Sequence, residues 1–178
     1  DLVFTANAAL VYHDLAICSR FRHEQRQGEE QHDAAWLSEN GFTVEMLPDG
    51  HFFEGAGDAL FCGDTLFAGY RMRSQATSHQ LVAKRIERRV IPMELVDPYY
   101  YHLDNCFCPL STDVAAYCAG AFDDYGRRAL PEHIPTLIEV NESEARSFAF
   151  NSVVSGWLTT PNPVLPTLSD QRPPPRCT

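Results

Sequence analysis

The sequence predicts an α/β propeller with open ends, assembled from repeats of a ββαβ unit. Three observations carry this reading. Pairs of short apolar strands across tight turns are each followed by a polar, helix-compatible stretch and a further strand. The closing strands begin at Thr43, Val90 and Leu137, an even spacing of 47 residues (43 to 90, 90 to 137). At 178 residues, 44% hydrophobic and 21% charged, the chain is long and apolar enough to bury a core. Chance alternation of elements gives irregular periods, and a unit that can bury only one face alone must be stacked or closed around an axis. The competing reading of the same pattern is one open α/β sheet with its helices on one side.

The first unit starts with apolar pairs at 9–12 and 15–18, joined across His13-Asp14. Its helix is expected over 28–40, with Glu29 and Glu30 in the first turn, where the helix dipole favours acids, and Gly41 as the C-terminal stop. A strand at 43–47 closes the unit. The second unit runs from a strand at 58–61 through the turn Gly63-Asp64 to a strand at 66–68, a helix at 78–87 and a strand at 90–95. The third has strands at 102–107 and 114–118 around a turn at 111–113, a helix at 123–130 and a strand at 137–140. Strand pieces at 2–4 and 152–154 flank the three units.

Composition excludes some partners. Fourteen Lys and Arg against 24 Asp and Glu leave a net charge of -10, which disfavours nucleic acid and anionic membranes. No run reaches the roughly 20 apolar residues of a membrane span, and no secretory signal pattern opens the chain. Cys18, Cys62, Cys106, Cys108, Cys118 and Cys177 include no CxxC pair, and most sit in apolar runs. They are expected to be reduced thiols of a cytoplasmic protein. Asp1 in place of Met, and six of twelve prolines in the last 18 residues, lead to the expectation of a cut fold. A partial domain is expected at 1–157, with a Pro-rich tail at 158–178 outside it.

Two stretches are suited to chemistry. Phe52-Phe-Glu-Gly-Ala-Gly-Asp58 sets two carboxylates around a Gly-x-Gly where a polar loop enters an apolar strand. Glycine permits turns tight enough for Glu54 and Asp58 to share a cavity, or equally an Asx-type turn with solvated acids. In Tyr101-His-Leu-Asp-Asn-Cys-Phe-Cys108, a strand of period two would place His102, Asp104, Cys106 and Cys108 on one face. They are not expected to share a metal. His102 and Cys108 would lie roughly 20 Å apart along such a strand, against zinc bonds of about 2.0–2.3 Å. His102 and Asp104, about 7 Å apart, can flank a small planar ligand, or be a packed histidine and a turn-capping aspartate. Arg20, Arg22 and Arg26 match Arg71 and Arg73 of the second unit, so all point to one end of a ring. There they can grip a carboxylate through forked hydrogen bonds or form surface ion pairs; the surface reading suits Arg20 and Arg71 better.

Four stretches in order, Phe4-Thr-Ala-Asn-Ala-Ala, Phe21-Arg-His-Glu-Gln-Arg-Gln-Gly-Glu-Glu, Phe53-Glu-Gly-Ala-Gly-Asp and Tyr101-His-Leu-Asp, resemble the guanidine-modifying superfamily. Its members are the arginine deiminases, dimethylarginine dimethylaminohydrolases and amidinotransferases, and the resemblance covers about residues 1–156. It implies a pentein-type propeller of five ββαβ units, of which 178 residues at 47 per unit supply about 3.8. It implies attack of a cysteine thiolate on a guanidinium carbon, giving a covalent intermediate that water resolves, with no metal or organic cofactor. The partner implied is a small guanidino substrate, arginine or a methylarginine. Carried over residue by residue, His102 would be the general acid and base, and Glu54 would orient both the guanidinium and His102. Asp104 would grip the guanidinium nitrogens, Arg26 and Arg73 would hold the substrate's α-carboxylate, and Asn7 and Asp58 would complete the substrate site.

Asn7 stands where the deiminases carry an aspartate. In this it resembles the arginine dihydrolases, which take arginine to ornithine, ammonia and CO2, whereas deiminases stop at citrulline. The superfamily's nucleophile lies near the C-terminus, in a Gly-rich stretch ending Lys-Cys-Leu/Met-Thr. This chain ends Arg172-Pro-Pro-Pro-Arg-Cys-Thr178, and three prolines favour an extended tail. Cys177 is therefore expected to be a tail thiol, with the nucleophile missing from this chain. Phe150-Asn151, where relatives carry Cys-Asn, reads as a packing change. The alternatives are a non-catalytic guanidine-binding module or an inactive fragment and, within the class, a dimethylarginine dimethylaminohydrolase or an amidinotransferase.

Overall fold

A computed structural model describes residues 4–147 and Phe150. Three ββαβ units follow one another, each with a separate three-stranded sheet, so the single open sheet is not the architecture. The first unit opens with a 3-10 turn, Thr5–Asn7, and holds β1 (Ala9–Tyr12), β2 (Leu15–Cys18), the short α1 (Glu24–Gln27), α2 (Glu29–Glu39) and β3 (Thr43–Met46). The second opens with the one-turn α3 (Gly55–Asp58), then β4 (Ala59–Cys62), β5 (Thr65–Tyr70), α4 (Ala76–Ile86) and β6 (Arg89–Glu94). The third opens with a 3-10 turn, Leu103–Asn105, then β7 (Phe107–Pro109), β8 (Val114–Tyr117), α5 (Asp124–His133) and β9 (Thr136–Glu139), and α6 (Glu142–Ala145) follows.

Within each sheet the first two strands pair antiparallel. The third, returning from the helix, pairs parallel with the second. The closing strands start at Thr43, Arg89 and Thr136, close to the predicted period. Gly41 ends the first helix as predicted: at φ +89 it adopts the left-handed conformation, and its N–H bonds the Ser38 carbonyl.

The apolar strand positions pack in clusters that bridge neighbouring units. Leu10, Ile17 and Leu47 of the first unit meet Leu66 and Ala68 of the second, with Val82 and Ile86 of α4. Phe67, Ile91, Met93 and Leu95 of the second unit meet Leu103, Phe107 and Leu130 of the third. On the other face of the first sheet, Ala9 and Ala16 pack on Leu37 of α2. A fully buried side chain of this kind contributes about 1.5–3 kcal/mol, and that holds neighbouring units in register.

One predicted strand starts later than expected. The stretch expected to be extended over 102–107 is a 3-10 turn at Leu103–Asn105, with β7 starting only at Phe107. The Leu103 N–H donates to Asp58 Oδ1 and the Cys106 N–H to the Leu103 carbonyl, so a side chain and a turn satisfy this backbone instead of a neighbouring strand. The placement of His102, Asp104, Cys106 and Cys108 along one face of a straight strand falls with it. Of the flanking pieces, Phe4 is described and is not in a strand, while 152–154 lies outside the described residues. The expected tail, with Cys177, also lies outside them.

Candidate active site

The short helical turns that open the units converge. Asn7 ends the first, Glu54 immediately precedes α3, and His102 immediately precedes the third, and all three side chains are buried. His102 Nε2 lies 2.7 Å from Glu54 Oε2. Arg73 approaches the same oxygen at 3.4 Å, and the Arg22 N–H donates to Oε1. Burial on its own would raise the Glu54 pKa, but the hydrogen bond and charge of His102, with Arg73, hold it below its ordinary value. For His102, burial disfavours the imidazolium. The Glu54 hydrogen bond and the charges of Asp58, Glu54 and Asp104 outweigh it and raise the pKa. The two shifts run in opposite directions, the carboxylate down and the imidazole up, and each favours the charged form of its group. Asp104 sits beside the pair; burial pushes its pKa up to about 6, with His102 opposing and Asp58 adding to the rise.

Asp58 is fully buried on α3. Its Oδ1 accepts the Leu103 N–H at 3.0 Å, and its Oδ2 accepts the Ser74 N–H at 3.2 Å and the Ser74 hydroxyl at 2.7 Å. Burial raises its pKa. Asn7 is fixed by Arg26: the guanidinium has donors only, and its Nη1 donates to Asn7 Oδ1 at 3.0 Å, which turns Nδ2 toward Gly57. A Cβ on Gly57 would stand 1.9 Å from that nitrogen and 3.6 Å from His102 Cγ, so glycine is required for the approach. Arg26 also bonds both oxygens of Glu29, at 3.0 and 2.8 Å, and its guanidinium lies 4.1 Å from the Phe21 ring centroid. It reaches the site through Asn7. Arg73 is partly exposed and stacks 5.0 Å over Tyr101.

Asn7, Glu54, Asp58, His102, Asp104 and Arg73 are thus brought together, while Arg26 stands behind them. Arg20 pairs with Glu30 and Asp49, and Arg71 with Glu94, outside the site. Ser74 was not among the residues singled out from sequence, since a lone serine after Arg71-Met-Arg carries no motif. The described cysteines are free and buried. Burial pushes the Cys18 thiol up to about 11 and the Cys106 thiol well above its ordinary value, unlike a thiolate nucleophile. Among the described residues no cluster of three or more His, Cys, Asp or Glu is arranged to hold a metal, and no helix is long and apolar enough to cross a membrane. A cavity of about 640 Å³ lies between β1 and α2, lined by Val11, Trp36, Leu37 and Phe42; Glu54, His102 and Asp104 do not line it.

The family described as N,N dimethylarginine dimethylhydrolase, eukaryotic, matches residues 1–156. The chain is 46% identical over 175 residues to the bifunctional arginine dihydrolase/ornithine cyclodeaminase ArgZ of Synechocystis sp., covering 96% of this chain and 25% of ArgZ. It is 36% identical over 166 residues to the N(G),N(G)-dimethylarginine dimethylaminohydrolase of Mycobacterium tuberculosis, covering 93% of this chain and 53% of that one. A crystal structure of the substrate-bound N-terminal domain of ArgZ, an arginine dihydrolase, matches at TM-score 0.84 and 48% identity, over 86% of this chain and 59% of that chain. The Pseudomonas aeruginosa dimethylarginine dimethylaminohydrolase complexed with citrulline shares the fold at TM-score 0.68 and 21% identity, over 81% of this chain and 55% of that one. The chain therefore spans a quarter of ArgZ and about half of the mycobacterial relative it matches. Three ββαβ units in series and a family match that runs from residue 1 to residue 156 lead to one conclusion: the chain belongs to the pentein-fold dimethylarginine dimethylhydrolase family of guanidine-modifying proteins.

Proposed function

We propose that this chain supplies the guanidinium-binding and acid–base part of an arginine dihydrolase, which takes arginine to ornithine, ammonia and CO2. The observation that carries this is the buried Glu54–His102 pair at 2.7 Å with Asp104 beside it. A planar cation seated against Glu54 and Asp104 forms charge-assisted hydrogen bonds with both carboxylates. A thiolate, from a cysteine outside the described residues, adds to the guanidinium carbon. His102, held as imidazolium by its acidic neighbours, gives its proton to the leaving amine. Once neutral, the imidazole takes a proton from the water that displaces the sulfur. Arg73, partly exposed, is assigned to the substrate's α-carboxylate; Arg26, engaged with Glu29 and Asn7, is assigned to orienting Asn7. An amide at Asn7 grips the terminal nitrogens less firmly than a carboxylate, which leaves the ureido product free to turn and react again.

The likeness to ArgZ favours arginine as substrate, while the family match and the mycobacterial relative favour dimethylarginine as the second reading. The partial propeller domain is taken as 1–157, and five free, buried cysteines support a cytoplasmic setting. The test is incubation of the full-length gene product with arginine or dimethylarginine, with assays for ammonia, ornithine, citrulline and dimethylamine. Ornithine formed from arginine supports the proposal. A stop at citrulline overturns the second hydrolysis, release of dimethylamine with arginine inert selects the second reading, and binding without turnover selects a guanidine-binding module. Cys177→Ser in the same assay reports whether that thiol is the nucleophile: full turnover is expected, and its loss would place Cys177 in the site.

A further inference from the structure

The buried carboxylate of Asp58 and the hydroxyl of Ser74 have no role in the proton transfers above, yet they join the two residues that do. Ser74 Oγ accepts the Glu54 N–H at 3.0 Å and donates to Asp58 Oδ2 at 2.7 Å. Asp58 Oδ1 accepts the N–H of Leu103, the residue after His102, at 3.0 Å. One continuous chain of hydrogen bonds therefore runs from the Glu54 backbone to the backbone beside His102, across the boundary between the second and third units. Both side chains are fully buried, so no water competes for these bonds. The strand behind them leaves room for the carboxylate: a Cβ on Gly69 would stand 2.9 Å from Asp58 Oδ1 and 3.2 Å from Leu103 Cβ.

We propose that Asp58 and Ser74 are a positioning pair that sets the Glu54–His102 contact across the boundary between the second and third units. The inference rests on the reading of Glu54–His102 as the acid–base couple. Neither residue of the pair touches substrate. Asp58 works by fixing the turn at Leu103–Asn105, and Ser74 by fixing the backbone from which Glu54 projects. The groups facing His102 are Glu54 from the loop before α3, Asp58 from α3 itself, Asp104 from its own turn, and the Tyr101 ring at 5.1 Å; Arg73 acts on the imidazole only through Glu54. Removing the Asp58 charge, or the hydroxyl that stabilises it, therefore moves His102 toward easier deprotonation.

The experiment is an NMR titration of the full-length gene product with 13C-labelled histidine, the His102 resonance being assigned by its loss in His102→Gln. Asp58→Asn and Ser74→Ala are each expected to lower the pH at which His102 titrates. Turnover of arginine should fall about 10–100-fold in kcat, with KM little changed, as expected for misplaced catalytic groups. Ser74→Ala removes one oxygen and leaves the Ser74 N–H on Asp58, so it decides the matter should Asp58→Asn fail to fold. A His102 titration that stays in place in a folded variant overturns the proposal. A titration that moves in a protein without arginine turnover keeps the positioning pair and removes the reaction assigned above.

Discussion

His102 and His79 are buried to nearly the same depth, with 4% and 3% of their surface exposed, and their titrations shift in opposite directions. Among the described residues His79, on α4, has one backbone partner, the Gly69 carbonyl at 3.1 Å from Nε2, and no partner at Nδ1. Burial dominates and takes its pKa down to about 4. At His102 the same burial is overcome by three carboxylates. Burial alone lowers a histidine's pKa; convergent acids from two units raise it.

The largest expected effect breaks that difference at its centre. Glu54→Gln keeps the side-chain size and removes the charge, so His102 should titrate lower and arginine turnover should fall about 10²–10⁴-fold, the usual worth of a positioned acid or base. Steady-state kinetics across pH check this, and unchanged turnover would remove Glu54 from the mechanism. The second effect lies at His79. Its folded pKa is below the unfolded value near 6.5, so the unfolded chain takes the proton first as pH falls, and stability is lost between pH 6.5 and 4. The loss should amount to about 3 kcal/mol. His79→Gln, which can still donate to Gly69 but does not titrate, should flatten that slope in urea unfolding at a series of pH values. His102 has the opposite sign: its contribution is complete below pH 6.5 and is lost as pH rises through its raised value.

A third test separates the two regions by shape. Gly57→Ala drives a methyl into Asn7 and close to His102, so kcat should fall about 10–100-fold by displacement, while the His79 titration stays where it is. The smallest effect is a matter of pH. With Asp104 held up to about 6, KM for arginine should rise below that pH as the carboxylate takes a proton, about tenfold per pH unit if its charge is essential. Asp104→Asn should remove the pH dependence while raising KM throughout.

Much of the fold is legible because strand and helix periods are local. The hairpins at 9–18 and 59–70, the helix stop at Gly41 and the period of the closing strands all follow from neighbours within a few positions. The failure at 102–107 has a nonlocal cause: Asp58, 45 residues earlier, takes the Leu103 N–H that a strand would have offered to its neighbour. The same holds for the site. Glu54 and His102 stand out in sequence by residue type, but nothing local shows that Arg26 is engaged by Glu29 and Asn7, or that Ser74 joins Glu54 to Asp58.

By itself the sequence determined the repeat, the order of elements within each unit and the residue types available for guanidinium chemistry, since these depend on local patterning of apolar and polar groups. Only the tertiary structure decided which carboxylate meets which nitrogen, and so which histidine is lifted above its ordinary pKa and which is pushed below it. A charge's partner is set by distance in space, and here those partners come from separate units packed against one another.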